Sequence, residues 1–307
     1  MGLLKKLVNI TEFKLALKHE QQEQNHDFDN FNQILTLRPL DQAKPTPIPR
    51  QIWIYWQGSP CELVERCVAK IRALNPHFTV HYLNEDSVKQ FSEINFTELA
   101  HITPQLKSDL IRLDLLNRHG GYWLDASILT FESLDWIQQL VDQHATEAFA
   151  YYRKKNTTLP EFPVIENWLL ASHPDTAFLK AWQVEVMKII QVTAKVYIQQ
   201  IRQNLDQPEQ YFQRINMPEY LCPYIAAQVV MRQHLPSITL INCDANAFFL
   251  QIQNGWNKHK VLFDLAIKQK PVQMPKLIKL VGKERNLINQ YFIKGKFKAN
   301  SLLAELA

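Results

Sequence analysis

The 307 residues carry a net charge of +4, with 46% hydrophobic and 21% charged residues; this is ordinary globular usage with enough apolar material for a large core, and the charge is too small to argue for a nucleic-acid partner. Seven glycines and sixteen prolines, spread along the chain, exclude collagen-like or low-complexity character. Cys61, Cys67, Cys222 and Cys243 lack CxxC spacing and an accompanying histidine cluster, which argues against a zinc site and fits small buried hydrophobes in a reducing compartment.

Residues 1–24 place Leu4, Leu7, Phe13, Leu15 and Leu17 among lysines, which predicts a short amphipathic helix. No secretion signal is read there, and no segment approaches the roughly 18 apolar residues of a membrane span. The expectation is a cytoplasmic protein, with the N-terminal stretch and the basic C-terminal end as a surface for peripheral contact with the inner membrane. A Gln-, Asn- and Pro-rich stretch to about Pro49 reads as a connecting arm.

The core begins at Ile48-Pro49-Arg50. Gln51 to Trp56 is a β-branched and aromatic run, hence a buried strand. Residues 61–74 have helical apolar spacing, and Phe78 to Leu83 alternates as a second strand. Strand, helix and strand with short turns predict a parallel βαβ unit. Thr103-Pro104 starts the next helix and Gly120-Gly121 stops it. Tyr122-Trp123-Leu124 is then a short strand ending at Asp125, and Ile128 to Phe131 another. Residues 174–205 and 219–234 read as helical, Ile238 to Ile241 and Phe248 to Leu250 as strand-like, and the stretch from 275 as helix with a basic end.

The chemistry concentrates in Ser108-Asp109-Leu110-Ile111-Arg112 and in Gly120-Gly121-Tyr122-Trp123-Leu124-Asp125-Ala126-Ser127. Asp109 and Arg112 are three apart and share a helix face. Asp125 and Ser127 sit where a strand leaves the sheet, the usual ligand position in open α/β sheets. Two carboxylates, a guanidinium and a hydroxyl around one pocket suit a departing nucleoside diphosphate. A carboxylate-held divalent ion would stabilise its charge, a second carboxylate would grip sugar hydroxyls, and the arginine would add charge-assisted hydrogen bonds. Asn167-Trp168 reads equally as a sugar-pocket wall or as a turn. His259 reads as a solvated loop histidine or a metal ligand.

These motifs, S-D-x-x-R followed by G-G-x-x-L-D-x-S, resemble the capsular polysaccharide synthesis proteins, relatives of glycosyltransferase family 32 and of the clostridial glucosylating toxins. The opening Ile48-Pro49-Arg50-Gln51-Ile52-Trp53 with Trp56-Gln57-Gly58 is similar to that family's start. The resemblance implies a GT-A fold, a nucleotide-sugar donor that is often UDP-linked, a Mn²⁺ or Mg²⁺ ion and retention of anomeric configuration. It places Trp53 beside the uracil, Asp109 and Arg112 on the donor sugar and phosphates, and Asp125 as the first acid of a D-x-D motif. Asn254 and Trp256 resemble a late loop that closes on metal and diphosphate. Asp125-Ala126-Ser127 departs from D-x-D, which implies an ion held mainly by Asp125, the diphosphate and water, with Ser127 and Asn254 as further candidate ligands and modest affinity.

The expected architecture is therefore α/β: a GT-A-type, Rossmann-like nucleotide-sugar-binding core with a mixed, mainly parallel sheet. A helical arm would occupy 1–47, the glycosyltransferase domain 48–274 with a helical insertion at about 174–235, and a basic helical tail 275–307. The expected activity is retaining transfer from a nucleotide-sugar to a capsular polysaccharide, lipopolysaccharide or related oligosaccharide or lipid-linked acceptor. Asp109, Arg112 and Asp125 would be catalytic, and Trp53, Asn167 and Trp256 would complete the donor site. A non-catalytic nucleotide-sugar-binding scaffold is the rival, and sugar-phosphate transfer a third reading. No GxxxxGK[ST] or GxGxxG occurs, so a P-loop kinase or a dinucleotide-binding dehydrogenase lacks support.

Overall fold

The β-branched and aromatic runs of the sequence pair into one central sheet. The computed structural model describes residues 11–19, 21, 28, 33–38, 47–97, 99 and 102–307. Its strands are β1 (Ile34–Leu37), β2 (Gln51–Tyr55), β3 (Thr79–Leu83), β4 (Gly121–Leu124), β5 (Ile128–Thr130), β6 (Ala148–Tyr152), β7 (Ile165–Ser172), β8 (Ile238–Asn242) and β9 (Leu277–Lys279). Seven of them form a sheet in the order β1-β8-β6-β7-β4-β2-β3. Strands β2, β3, β4, β6 and β8 share one direction, and β1 and β7 run against it. The fold is thus α/β with a mixed, mainly parallel sheet. The separate pair β5–β9 is antiparallel.

The helices are α1 (Glu62–Leu74), α2 (Pro104–His119), α3 (Asp135–His144), α4 (Ala177–Val192), α5 (Ala194–Asn204), α6 (Glu209–Phe212), α7 (Cys222–Gln233), α8 (Phe249–Gln253), α9 (Lys258–Ala266) and α10 (Gly282–Phe292). They cover both faces of the sheet, which explains why its strands are nearly continuous apolar runs. Side chains alternate across β2. Trp53 and Tyr55 enter the core shared with α2, α4 and α7, while Ile52 and Ile54 enter the core shared with α1 and α3. A third apolar cluster joins α1, the β5–β9 pair, α9 and α10. Cys67, Cys222 and Cys243 are buried and unpaired, and Cys61 is half-buried and also free.

The β2-α1-β3 unit is parallel from Gln51↔Thr79 to Tyr55↔Leu83, as its sequence pattern predicts. Several other expectations are corrected. The arm before residue 48 contains a strand, β1, whose Ile34 to Leu37 pair with Ile241 to Ile238. Its short, polar-flanked sequence lacks the long apolar run that marks buried strands. The helical stretch expected over 174–205 is two helices, broken at Thr193, which has φ 78°. A β-branched residue there interrupts helical geometry. Phe248 to Leu250 does not form a strand but opens α8; a three-residue apolar run cannot distinguish the two. The stretch after 275 begins with a strand, β9, before its helix.

Some of the residues read as a membrane-facing surface are used internally, while Leu15 stays 52% exposed. Phe13 is buried, with its ring 4.6 Å from Tyr291 and 6.5 Å from Phe263. Leu4 and Leu7 lie outside the described residues. Of the C-terminal basic residues, Lys276 pairs with Glu132, Lys279 with Asp125, and Lys298 donates to His19 O at 2.7 Å. No helix among the described residues is long and apolar enough to cross a membrane.

The Gly120-Gly121 pair sets the junction between α2 and β4. Gly120 caps the helix at φ 62°, ψ −161°, and Gly121 follows at φ 98°. A Cβ on Gly121 would lie 2.5 Å from the Gln51 carbonyl oxygen of β2, which is backbone and cannot step aside. Gly121→Ala combines this clash with an unfavourable φ. It should lower unfolding stability by about 3 kcal/mol, read as a fall in the urea midpoint.

Candidate active site

The C-terminal ends of β2, β4 and β6 open on a cleft of about 570 Å³. Helix α2 runs along one wall. Thr103 caps it by accepting from Leu106 N at 3.3 Å, and Pro104 occupies its first turn. This start, with the Gly120-Gly121 stop, phases the helix so that Asp109 and Arg112 point into the cleft. β4 delivers Asp125 at its end, where Asp125 N donates to Trp168 O at 2.9 Å. β7 brings Asn167 alongside.

These residues form one interlocked group. Arg112 is 4% exposed. Its Nη2 lies 3.2 Å from Asp109 Oδ1 and 3.3 Å from Asp125 Oδ1, and its Nη1 donates to Asn167 O at 2.5 Å. The guanidinium also sits 5.1 Å from the Trp123 ring. Asn167 Nδ2 donates to Asp109 Oδ1 at 2.8 Å, which places Asn167 on a strand and in the pocket rather than in a turn. Trp123 Nε1 donates to Asp125 Oδ1 at 3.2 Å. Trp256, at φ 59°, reaches the cleft and faces the Arg153 guanidinium at 5.2 Å.

The two aspartates are pushed apart electrostatically. Burial raises the Asp109 carboxyl above its ordinary range, against the pull of Arg112, and the nearby Asp125 charge adds to the rise. Burial also pushes Asp125 up, but Lys279 and Arg112 together carry it below the ordinary carboxylate value. Environments that separate two carboxyls in this way are characteristic of functional sites. Glu166, on β7, is raised by burial, accepts from Tyr224 Oη at 2.7 Å and faces Arg153 Nη1 at 3.9 Å.

Two residues expected here stand elsewhere. Trp53 is 1% exposed, donates its Nε1 to Gly120 O at 2.8 Å and stacks on His81 with ring centroids 4.2 Å apart. It is a core residue. A strand advances about 3.3 Å per residue, so Trp56 lies roughly 10 Å nearer the sheet edge. Trp56 and Tyr55 line the cleft instead. Asn254 donates to Leu250 O at 2.9 Å and to Asp264 Oδ2 at 2.6 Å and borders a separate cavity of about 310 Å³, which His259 also lines.

Lys279 was not singled out in the sequence, yet it completes the group. Pairing of Ile128 with Lys279 carries it to the cleft. Its Nζ lies 2.7 Å from Asp125 Oδ2 and 3.4 Å from Ser127 Oγ. The signal was a lysine inside the apolar run Leu277-Ile278-Lys279-Leu280. Arg285, on α10, is a second addition; its guanidinium lies 4.7 Å from the Trp56 ring. The Mn²⁺ or Mg²⁺ set expected from Asp125, Ser127 and Asn254 is not assembled. Asn254 is absent from the cleft, the Ser127 hydroxyl donates to Leu280 O at 3.2 Å, and the ammonium of Lys279 faces both remaining oxygens. No group of three acidic, histidine or cysteine side chains suited to a metal occurs among the described residues. The residues present do not fit a divalent ion.

Residues 5–272 match the capsular polysaccharide synthesis protein family. The chain belongs to this family. Lys279 and Arg285 lie beyond the matched residues of this capsular polysaccharide synthesis family member. Among curated proteins, it is 30% identical over 175 residues to the glycosyltransferase afumC of Aspergillus fumigatus (strain CBS 144.89 / FGSC A1163 / CEA10), covering 51% of this chain and 43% of that protein. It is 24% identical over 168 residues to the O-glycosyltransferase braB of Annulohypoxylon truncatum, covering 48% and 39%. The chain thus spans less than half the length of these curated relatives. Among solved structures, a glycosyltransferase involved in glycosylation of the major capsid of PBCV-1 aligns with a TM-score of 0.45 and 9% identity, over 79% of this chain and 98% of that one. The galactosyltransferase LgtC with donor and acceptor sugar analogs aligns with a TM-score of 0.40 and 10% identity, over 80% and 100%.

The charge pairs at Asp125 have a measurable consequence. The Asp125 carboxyl is held below its ordinary value of 3.8, so its ion pairs contribute stability above that pH and lose it as pH falls through the lowered folded value. Asp125→Asn leaves the buried Lys279 without a counter-charge and should cost about 3 kcal/mol at pH 7. Its deficit against the parent should shrink below pH 3.8. Asp109→Asn removes a charge that burial disfavours and should cost under about 1 kcal/mol. Urea unfolding across pH reads both.

Proposed function

We propose that this protein is a retaining glycosyltransferase that moves a sugar from a nucleotide-sugar, UDP-linked, to a hydroxyl of a capsular polysaccharide, lipopolysaccharide or related surface glycan. The observation that carries the reading is the Asp109–Arg112–Asp125 group, with Asn167, at the strand ends of a cleft large enough for a small ligand. Family membership supports it.

In this reading Trp56 and Tyr55 form the wall on which the base packs. The Asp109 carboxyl and the Asn167 amide grip donor-sugar hydroxyls, with Arg112 orienting the carboxylate. The cations that line the cleft stabilise the charge that develops on the diphosphate. Transfer breaks the bond from the anomeric carbon to the leaving phosphate oxygen and forms the bond to the acceptor oxygen on the same face. The acceptor proton passes to the departing phosphate. Asp109 and Asp125 are engaged by Arg112, and Glu166 by Tyr224, which favours the leaving group as proton acceptor. Tyr220 and Met217 stand at the cleft with 63% and 65% of their surface exposed. They offer an apolar platform for an acceptor sugar ring.

Purified protein incubated with UDP-, GDP- and CDP-sugars should release nucleotide from one donor. Asp109→Asn should reduce that release about 100-fold, and Trp256→Ala less, because its ring faces Arg153 rather than the aspartates. An anomeric product assignment by NMR tests retention. Donor binding with no release in the presence of a range of glycan acceptors would replace this reading with a nucleotide-sugar-binding scaffold.

A further inference from the structure

We propose that Lys279 occupies the position of the divalent ion and that the site binds the nucleoside diphosphate without metal. The proposal rests on the glycosyltransferase reading and adds to it the identity of the group that meets the leaving phosphate. In a D-x-S arrangement, an ion would bridge the carboxylate and the hydroxyl. In this chain those two atoms, Asp125 Oδ2 and Ser127 Oγ, lie 2.7 and 3.4 Å from one ammonium nitrogen. A divalent ion bound to both oxygens would sit in contact with that ammonium, and the like charges would repel.

Lys279 is held in place from several sides. It is 8% exposed, and its pairing with Ile128 fixes it on β9. Its backbone N donates to Ala247 O at 3.0 Å, and its carbonyl accepts from Gln251 Nε2 at 2.8 Å. The next residue, Leu280, donates its N to Ser127 O at 3.1 Å and accepts from the Ser127 hydroxyl. These contacts fix the backbone of Lys279, and its ammonium is held by Asp125 and Ser127. Asp125 is satisfied on both oxygens, by Trp123 and Arg112 on Oδ1 and by Lys279 on Oδ2. Asp125 is therefore a positioning residue that aims the ammonium, not a metal ligand.

Two further groups face the same cleft from the segment that follows Lys279. Val281 and Gly282 line it at the start of α10, an eleven-residue helix, whose first amides and dipole favour an anion. Glu284, buried, satisfies the Val281 amide through its carboxylate at 3.2 Å. Arg285 lines the cleft beside Trp56, and its buried Nε has no hydrogen-bond partner among the described residues. The ammonium of Lys279 and the guanidinium of Arg285 together present donors to a diphosphate next to the aromatic wall that packs on its base. These two cations perform the charge neutralisation that a metal performs elsewhere.

The test is isothermal titration of the full chain with UDP, GDP and CDP, each in EDTA and in Mn²⁺. At least one nucleotide should bind, with affinities in the two conditions agreeing within twofold. Lys279→Met should weaken that binding at least tenfold, and Lys279→Arg, which keeps the charge, should recover most of it. Nucleotide release from the matching donor should persist in EDTA. Binding or release that is lost in EDTA overturns the proposal using the unaltered protein, whether or not the variants fold. Lys279→Met that folds by circular dichroism and binds as tightly as the parent overturns it too. A parent that binds none of the three nucleotides in either condition overturns the glycosyltransferase reading beneath it.

Discussion

Asp125 is the electrostatic hinge of this structure. One carboxylate meets Arg112 from α2 and Lys279 from β9, two cations that are themselves nearly fully buried. Removing a charge from water is costly, and only close pairing with good geometry offsets it. Each member of the triplet therefore depends on the others. The constraint joins segments 154 positions apart and pins the β5–β9 pair, with α10 behind it, against the end of the central sheet. The wall of the cleft formed by α10 is held by the apolar cluster it shares with α1, α9 and the β5–β9 pair, and the Lys279–Asp125 contact ties that pair to the end of β4.

The sheet supplies the platform for that pairing. Parallel strands β2, β4 and β6 release their C-terminal residues on one side, where the following loops diverge and leave space. Two glycines in unusual conformations let β4 approach β2 closely enough for Trp53 to donate to Gly120 O. Helices α4 and α7 then close the face behind α2, with Trp182 donating to Pro223 O at 2.8 Å deep in the core. The site thus stands on rigid elements, with the exposed Met217 and Tyr220 confined to its rim.

The aspartates and arginine were legible because their positions follow from local rules. Asp109 and Arg112 share a face through helical periodicity alone, and Asp125 ends a strand because Gly120-Gly121 marks where that strand begins. Trp53 was misplaced because alternation tells which face a strand residue occupies but not how deep along the strand it lies. Trp53 and Tyr55 point the same way, and only the position of the sheet edge separates core from cleft. Asn254 was misplaced for a related reason: its loop lies near the right segment in the chain, but its amide is turned toward Asp264.

From its residues alone, the chain specified the βαβ unit, the capped helix α2, the two-glycine stop and the three charged groups at its centre. Each depends on contacts between residues close in sequence or on a periodic apolar pattern. The pairing of β1 with β8 and of β5 with β9 was not written in any such pattern, since short strands owe their existence to the partner they find. The same holds for Lys279. In the sequence it is one of several lysines in a basic stretch, and its charge becomes part of the site only when the fold withdraws it from water and leaves Asp125 as its counter-charge.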